Sequence, residues 1–455
     1  MDLFSTAFPE APVREKDLLY IVGCLQQGEC CSVVGPSNTG KSILLRSLLT
    51  EDVRQHCAQK GAKAPITVFV DCLEAAPSEH AFYELLLRSI LEALEPSNTT
   101  ESTIDTLRSL YRELVDCTAD VAIPPLFARS VRALTQKSQT VLVVILDEFD
   151  DVFRALSPWP FRQLRALRDR YGAQLCYVLA TSHHLERVRP DEDTYEFREL
   201  FQPYTHILRP LHRTDTERLV AYLARKQGDT PSPEYTDLVI ELSGGHPGLT
   251  ERIYGSLRPD SSEVASPLQV MAAELNQEWP IQKECRRLWD ELEDEEHAGL
   301  RALVQGGTLE PGTVHRQALE AKGLIVERGD GHLVVFSPVF AAFVQQESAS
   351  QQQTTCRGLW YEADTKQIML DGEDITRKLS ADQYALLVFL SQRPGVVCSK
   401  DEVAQAVWPG QIQEGITDDQ IYQLIRRVRE KVEPDPLNPC YIITVRGQGY
   451  QLEKP

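Results

Sequence analysis

The 455-residue sequence predicts an α/β chain: a parallel sheet covered by helices, then a helical block, then two modules in which helices lead into a hairpin. Three observations predict it. Short apolar runs at Glu29–Val34, Ile66–Val70, Val141–Leu146 and Leu175–Ala180 alternate with helical patterns up to residue 205. Residues 206 to 282 carry helical patterns alone. Further on, Gly323, Leu324, Ile325 and Val326 face Leu333–Phe336 across a Gly-Asp-Gly turn at 329–331. Strands separated by helices must run parallel, because each crossover needs a helix's length of chain, whereas two strands around a tight turn pair antiparallel.

The expected domains are a sheet domain over 1–205, a helical lid over 206–282, a winged-helix-like block over 283–347, a Ser/Gln/Thr linker over 348–356, and a C-terminal winged-helix domain over 357–455. A hydrophobic fraction of 42% and a charged fraction of 25% belong to globular protein and exclude the disordered and fibrous classes. The longest apolar run is too short to span a bilayer, so no membrane partner is expected. The start of the chain carries Asp2, Glu10 and Glu15 and no export signal, which points to the cytoplasm. The 11 cysteines form no CxxC pair and read as reduced core thiols. A net charge of -20, were it evenly spread, would argue against nucleic-acid binding.

The first strand runs into Gly35-Pro36-Ser37-Asn38-Thr39-Gly40-Lys41-Ser42, which fits GxxxxGK[ST] and opens a helical pattern. That context makes a P-loop NTPase site: backbone amides cradle phosphate, Lys41 reaches the terminal phosphates, and the Ser42 hydroxyl ligates Mg²⁺. The third strand ends in Asp147-Glu148. Asp147 is placed to hold Mg²⁺ and Glu148 to polarise an attacking water, giving Lys41 and Glu148 the catalytic roles. Asp150 and Asp151 read as a solvated helix start. The fourth strand ends at Thr181-Ser182, where the Thr181 hydroxyl can sense a terminal phosphate, while His183 and His184 read as polar loop residues.

These residues resemble the AAA+/STAND class of signal-transduction ATPases. Val13-Arg14-Glu15-Lys16-Asp17-Leu18 is similar to the family's GRExE-type element, with Val13 where glycine is usual, and the resemblance implies that Arg14 contacts the base. Gly244-Gly245-His246-Pro247 resembles its GxP element, which implies that His246 and Pro247 close over the adenine. ATP and Mg²⁺ are the implied ligands, with slow hydrolysis serving a switch. The family's arginine finger has no evident counterpart: Arg165, Arg168 and Arg170 read as surface helix residues.

The C-terminal region resembles the winged-helix effector domain of the OmpR/PhoB response regulators, from Tyr361-Glu362-Ala363 to the wing signature Ile443-Thr444-Val445-Arg446-Gly447-Gln448-Gly449-Tyr450. Capping boxes are expected at Ser380/Gln383 and Ser399/Glu402. Ile421, Leu424, Ile425, Val428 and Val432 make one apolar helical stripe. The other faces offer Gln420, Gln423, Arg426 and Arg427, side chains that read adenine and guanine edges, with Tyr422, Arg429 and Lys431 suited to phosphates and Arg446 at the wing. Double-stranded DNA is therefore the expected partner. From Arg357 onward there are twelve Lys/Arg against fifteen Asp/Glu, so only -3 of the -20 lies there, and Gln420–Val432 is locally +3. No receiver or sensor repeat is evident, which leaves the signal open. The favoured reading is an ATP-controlled transcriptional regulator that switches its conformation or self-association, with homo-oligomers in view. The alternatives are an ATP-dependent DNA-assembly factor of the replication-initiator or transposition-ATPase kind, and a defence-type STAND switch.

Overall fold

The computed structural model describes residues 14–57, 64–94, 101–138, 140–257, 267–329, 331–354, 358–362, 365–371, 373–409, 417–433, 436, 439–445 and 449–453. The chain divides into two compact units, Met1–Gln345 and Gln346–Pro455.

The main sheet of the first unit has five strands among the described residues, β1 (Cys31–Val34), β2 (Ile66–Asp71), β3 (Leu142–Asp147), β4 (Leu175–Thr181) and β5 (Thr205–Ile207). They lie in the order β2-β3-β4-β1-β5, and every pairing is parallel. The six residues of β3 are all buried, as the unbroken apolar run requires of a strand covered on both faces. Leu142, Val144 and Leu146 pack on one side with Phe82, Tyr83 and Phe149, while Val143 and Ile145 pack on the other with Leu18, Leu44 and Leu45. Each such side chain contributes about 1.5–3 kcal/mol of burial. The sequence showed four of these strands. It missed β5, because Thr205-His206-Ile207 is too short to display a period, and only pairing with Ser32–Val34 makes it a strand. Since all strands are parallel, the loops after β1, β3 and β4 emerge on one edge of the sheet.

One apolar core runs from Leu211 to Val344. It joins the helices Arg213–Gln227, Pro233–Ser243, Pro247–Ser256 and Leu268–Leu275 to the helix Trp279–Asp290, the hairpin of β6 (Ile325–Glu327) and β7 (Leu333–Val335), and the start of the helix Pro338–Thr354. The boundary expected at 282/283 thus falls inside a helix whose Ile281, Cys285 and Leu288 all line that core. The stretch expected as a linker is different as well: Pro338–Thr354 is helical through residues 348–354. Val339, Phe340, Phe343 and Val344 anchor its first turns, and Gln, Glu and Ala extend a nucleated helix at little cost. Low hydrophobicity alone does not end a helix.

In the second unit, β8 (Leu359–Glu362), β9 (Gln367–Leu370) and β10 (Glu373–Asp374) form an antiparallel sheet. Three helices follow, Ala381–Ser391, Lys400–Val407 and Asp418–Val432, and then the hairpin of β11 (Ile442–Val445) and β12 (Gly449–Leu452). Both expected capping boxes are present, and Thr417/Gln420 makes a third. No helix among the described residues is long and apolar enough to cross a membrane.

Candidate nucleotide site and recognition helix

The loop after β1 is held in a closed curve by its own polar groups. Thr39 Oγ1 donates to the Pro36 carbonyl at 2.6 Å, and the Gly35 N–H donates to the Thr181 carbonyl at 3.1 Å. Gly40 caps the helix Lys41–Ser47 with φ 92°, a left-handed conformation open to glycine at no steric cost. Asn38 adopts φ 59°, which asparagine tolerates better than most residues. Lys41 is buried, and its ammonium donates to the Gly35 carbonyl at 2.6 Å and the Pro36 carbonyl at 3.1 Å.

At the end of β3, Asp147 is buried, and the Ser42 hydroxyl lies near enough to act on its carboxyl. Its Oδ1 has no partner. Burial holds this carboxyl above the usual range, with the Ser42 hydroxyl working against that shift. Glu148 starts the helix Phe149–Ala155 at φ 50°, a left-handed conformation that costs a non-glycine residue on the order of 1–3 kcal/mol and concentrates at functional positions. Burial raises its pKa, and the Lys41 charge opposes the rise. Thr181 is fully buried at the end of β4, the strand between β1 and β3, and its hydroxyl is unpartnered. Asn38, Gly40, Lys41, Ser42, Glu148 and Pro247 line one cavity of about 270 Å³, together with Gly248, Glu251, Arg252 and Glu284.

His246 is buried and caps the helix Pro247–Ser256, its Nδ1 accepting the Leu249 N–H at 3.3 Å. The proton therefore sits on Nε2, which has no partner. Burial, with the Arg14 and Lys41 charges, pushes its pKa down to about 3, so the ring is neutral. The orphaned oxygens of Asp147 and Thr181 and the orphaned Nε2–H of His246 are the groups a nucleotide with its metal would satisfy. A hydroxyl from Ser42 and a carboxylate from Asp147 are hard oxygen donors of the kind Mg²⁺ takes alongside phosphate.

In the second unit, the helix Asp418–Val432 buries Ile421, Leu424, Ile425, Val428 and Val432 and exposes Gln420, Tyr422, Arg426 and Arg427, with Gln423 half-buried. Arg426 pairs with Glu430 at 3.0 Å on the surface. Two residues expected on phosphates are instead used within the domain. Arg429 donates to the Ile442 carbonyl (2.6 and 3.0 Å) and to Thr444 Oγ1 (2.7 Å), and Lys431 donates to the Lys378 carbonyl and Gln383 Oε1. Arg446 lies outside the described residues.

Residues 25–188 match the family model for an AAA domain, and residues 374–452 match the one for the C-terminal part of transcriptional regulatory proteins. The chain joins an AAA ATPase domain to a C-terminal transcriptional-regulator domain of the OmpR/PhoB type. It is 35% identical over 110 residues to the transcriptional regulatory protein YvrH of Bacillus subtilis, covering 24% of this chain and 45% of that one. Over 87 residues it is 33% identical to the sensory transduction protein RegX3 of Mycolicibacterium smegmatis, covering 19% and 36%. The chain therefore spans less than half the length of these curated relatives. Among solved structures it is similar to the Walker-type ATPase PABY2304 of Pyrococcus abyssi, with TM-score 0.45 and 18% identity over 74% of this chain and 97% of that one. It is also similar to the ORC2 protein of Aeropyrum pernix, with TM-score 0.43 and 13% identity over 76% and 96%.

Ahead of the residues that match the AAA domain, Arg14 acts as a bracket. Its guanidinium donates to the Thr39 carbonyl at 2.6 Å and the Arg209 carbonyl at 2.8 Å, and it pairs with Asp17 at 3.1 Å. Asp17 in turn meets His206 at 2.7 Å. Burial alone would raise the Asp17 pKa, but the His206 hydrogen bond and the Arg14 charge together hold it low. Arg14, His206, His212 and Asp215 line a second cavity of about 360 Å³. Of the acids read as a solvated helix start, Asp151 is exposed, but Asp150 accepts the Ser182 N–H at 2.9 and 3.1 Å and ties the ends of β3 and β4 together. Arg168, in the helix Trp159–Tyr171, is tied to the Gly28 and Leu175 carbonyls. Sequence reasoning missed Glu284, Glu291 and Arg252. One signal for Glu284 was available: it lies on the apolar stripe of Ile281, Cys285 and Leu288, where an unpaired carboxylate is costly.

Proposed function

We propose that this protein is a transcriptional regulator whose engagement of double-stranded DNA is controlled by ATP. The observation that carries the reading is the convergence of two distant segments, Lys41–Ser42 after β1 and Glu148 after β3, around one cavity that Pro247 also lines, with buried Asp147 under the influence of Ser42 and Lys41. Bound Mg-ATP supplies the phosphoryl group to be transferred and a metal charge that polarises it. Ser42 and Asp147 would hold the metal, Lys41 the terminal phosphates, and Glu148 would orient and deprotonate a water. Thr181 reads the terminal phosphate, while Arg14, His246 and Pro247 face the base side. In the C-terminal domain, Gln420, Gln423, Arg426 and Arg427 read base edges, and Tyr422 and Arg446 hold phosphates. Slow hydrolysis suits a switch, because a switch needs a lasting bound state.

The test is nucleotide binding and DNA footprinting on the full chain. Lys41→Ala should abolish ATP binding, and Glu148→Gln should retain ATP while losing hydrolysis. A discrete footprint that changes with ATP is the expected result. Unaltered ATP affinity in Lys41→Ala would refute the site, and ATP-driven rings on DNA without a discrete footprint would favour an assembly factor.

A further inference from the structure

Two carboxylates from the lid side sit on the phosphate-binding loop. The Ser37 N–H donates to Glu291 Oε2 at 2.6 Å, and Asn38 Nδ2 donates to both oxygens of Glu284 at 2.9 Å. Glu284 is 4% exposed and comes from the helix Trp279–Asp290, which Glu291 terminates. Space for it is built in, since a Cβ at Gly248 would lie 2.1 Å from Glu284 Oε1. The same joint also holds the far side of the site. The Glu291 carbonyl meets His183 Nε2 at 2.9 Å just beyond β4, and Glu293 pairs with Arg187. Residues 283–347 carry twelve Asp/Glu against seven Lys/Arg, so this block presents anionic oxygens to the loop.

Carboxylate and phosphate oxygens are acceptors of the same kind, and like charges cannot share one set of donors without strong repulsion. We propose that Glu284 and Glu291 are intramolecular rivals of the nucleotide's phosphates. They latch the body that shares the Leu211–Val344 core onto the loop, and phosphate arriving at Ser37 and Asn38 releases it. The inference rests on the nucleotide reading above and names the contact through which binding is turned into movement. By reciprocity, whatever pulls the latch open raises nucleotide affinity.

The experiment measures the affinity of a fluorescent ATP analogue with Mg²⁺ for the full chain, for Glu291→Ala and for Glu284→Gln, with hydrogen exchange of residues 279–293 followed before and after ATP. Rivalry predicts binding about tenfold or more tighter in each variant, as expected on removing a charged hydrogen-bond competitor. It also predicts faster exchange over 279–293 in the unaltered protein when ATP is added. Equal or weaker binding in the variants overturns the latch and leaves the nucleotide reading standing, because the carboxylates would then be shaping the loop. Absence of binding in the unaltered chain and in both variants overturns both. If a variant fails to fold, exchange in the unaltered chain decides: unchanged or slower exchange over 279–293 on adding ATP removes the latch.

Discussion

His246 and Glu148 show how much the local environment adds to a motif. Histidine ordinarily titrates near 6.5, but His246 is buried beside the Arg14 and Lys41 charges, and its pKa falls to about 3. The folded state then binds fewer protons than the unfolded state. Its contribution to stability is complete above pH 6.5 and is lost as the pH falls from there toward 3. Within that window the loss is at most about 1.4 kcal/mol per pH unit. Asp147, Glu148 and Asp150 have raised pKa values and act in the opposite direction, so the comparison must isolate the histidine. His246→Asn, which keeps a good helix cap, should flatten the fall in urea midpoint between pH 7 and 5. An unchanged slope would show that the histidine is charged or exposed.

At the scale of the element, the helix Asp418–Val432 has two kinds of cation. Arg426 is exposed and pairs with Glu430 on the surface, whereas Arg429 fastens β11 through three hydrogen bonds. Just beyond, buried Glu433 receives the N–H groups of Cys440, Tyr441 and Ile442 and fixes the entry to that strand. Arg426→Ala is expected to weaken specific DNA binding by about 1–3 kcal/mol and leave the melting temperature unchanged. Arg429→Ala should cost about 1.5–3 kcal/mol of stability, lowering the melting temperature of the second unit by roughly 10 °C. Differential scanning calorimetry beside a DNA titration checks both, and equal melting temperatures for the two variants would refute the distinction.

Across the whole molecule, charge and core are divided in the same way. The two units have separate apolar clusters, and most of the -20 lies outside the C-terminal domain. Thermal unfolding of the full chain should show more than one transition, with Mg-ATP raising the one that belongs to the AAA-containing unit by about 2.7 kcal/mol at a hundredfold excess over Kd. A single transition, or a nucleotide shift in the C-terminal unit alone, would contradict this division. With Arg429 and Lys431 occupied internally, few cations of the recognition helix are left for phosphate. Sequence-independent DNA binding should therefore be weak and only mildly salt-dependent.

The sequence by itself determined four strands, the glycine-rich loop after β1, the two acids at the end of β3 and the apolar stripe of the helix Asp418–Val432. Each rests on local periodicity or fixed spacing, which a chain displays before it folds. Only the tertiary structure decided that β5 is a strand, that lid and winged-helix block share a core, that the helix starting at Pro338 continues to Thr354, and that Arg429 and Lys431 serve the fold. It alone placed Glu284 and Glu291 on the loop, more than 240 residues away in sequence. Those outcomes depend on which donor meets which acceptor across long separations, and no spacing along the chain encodes that.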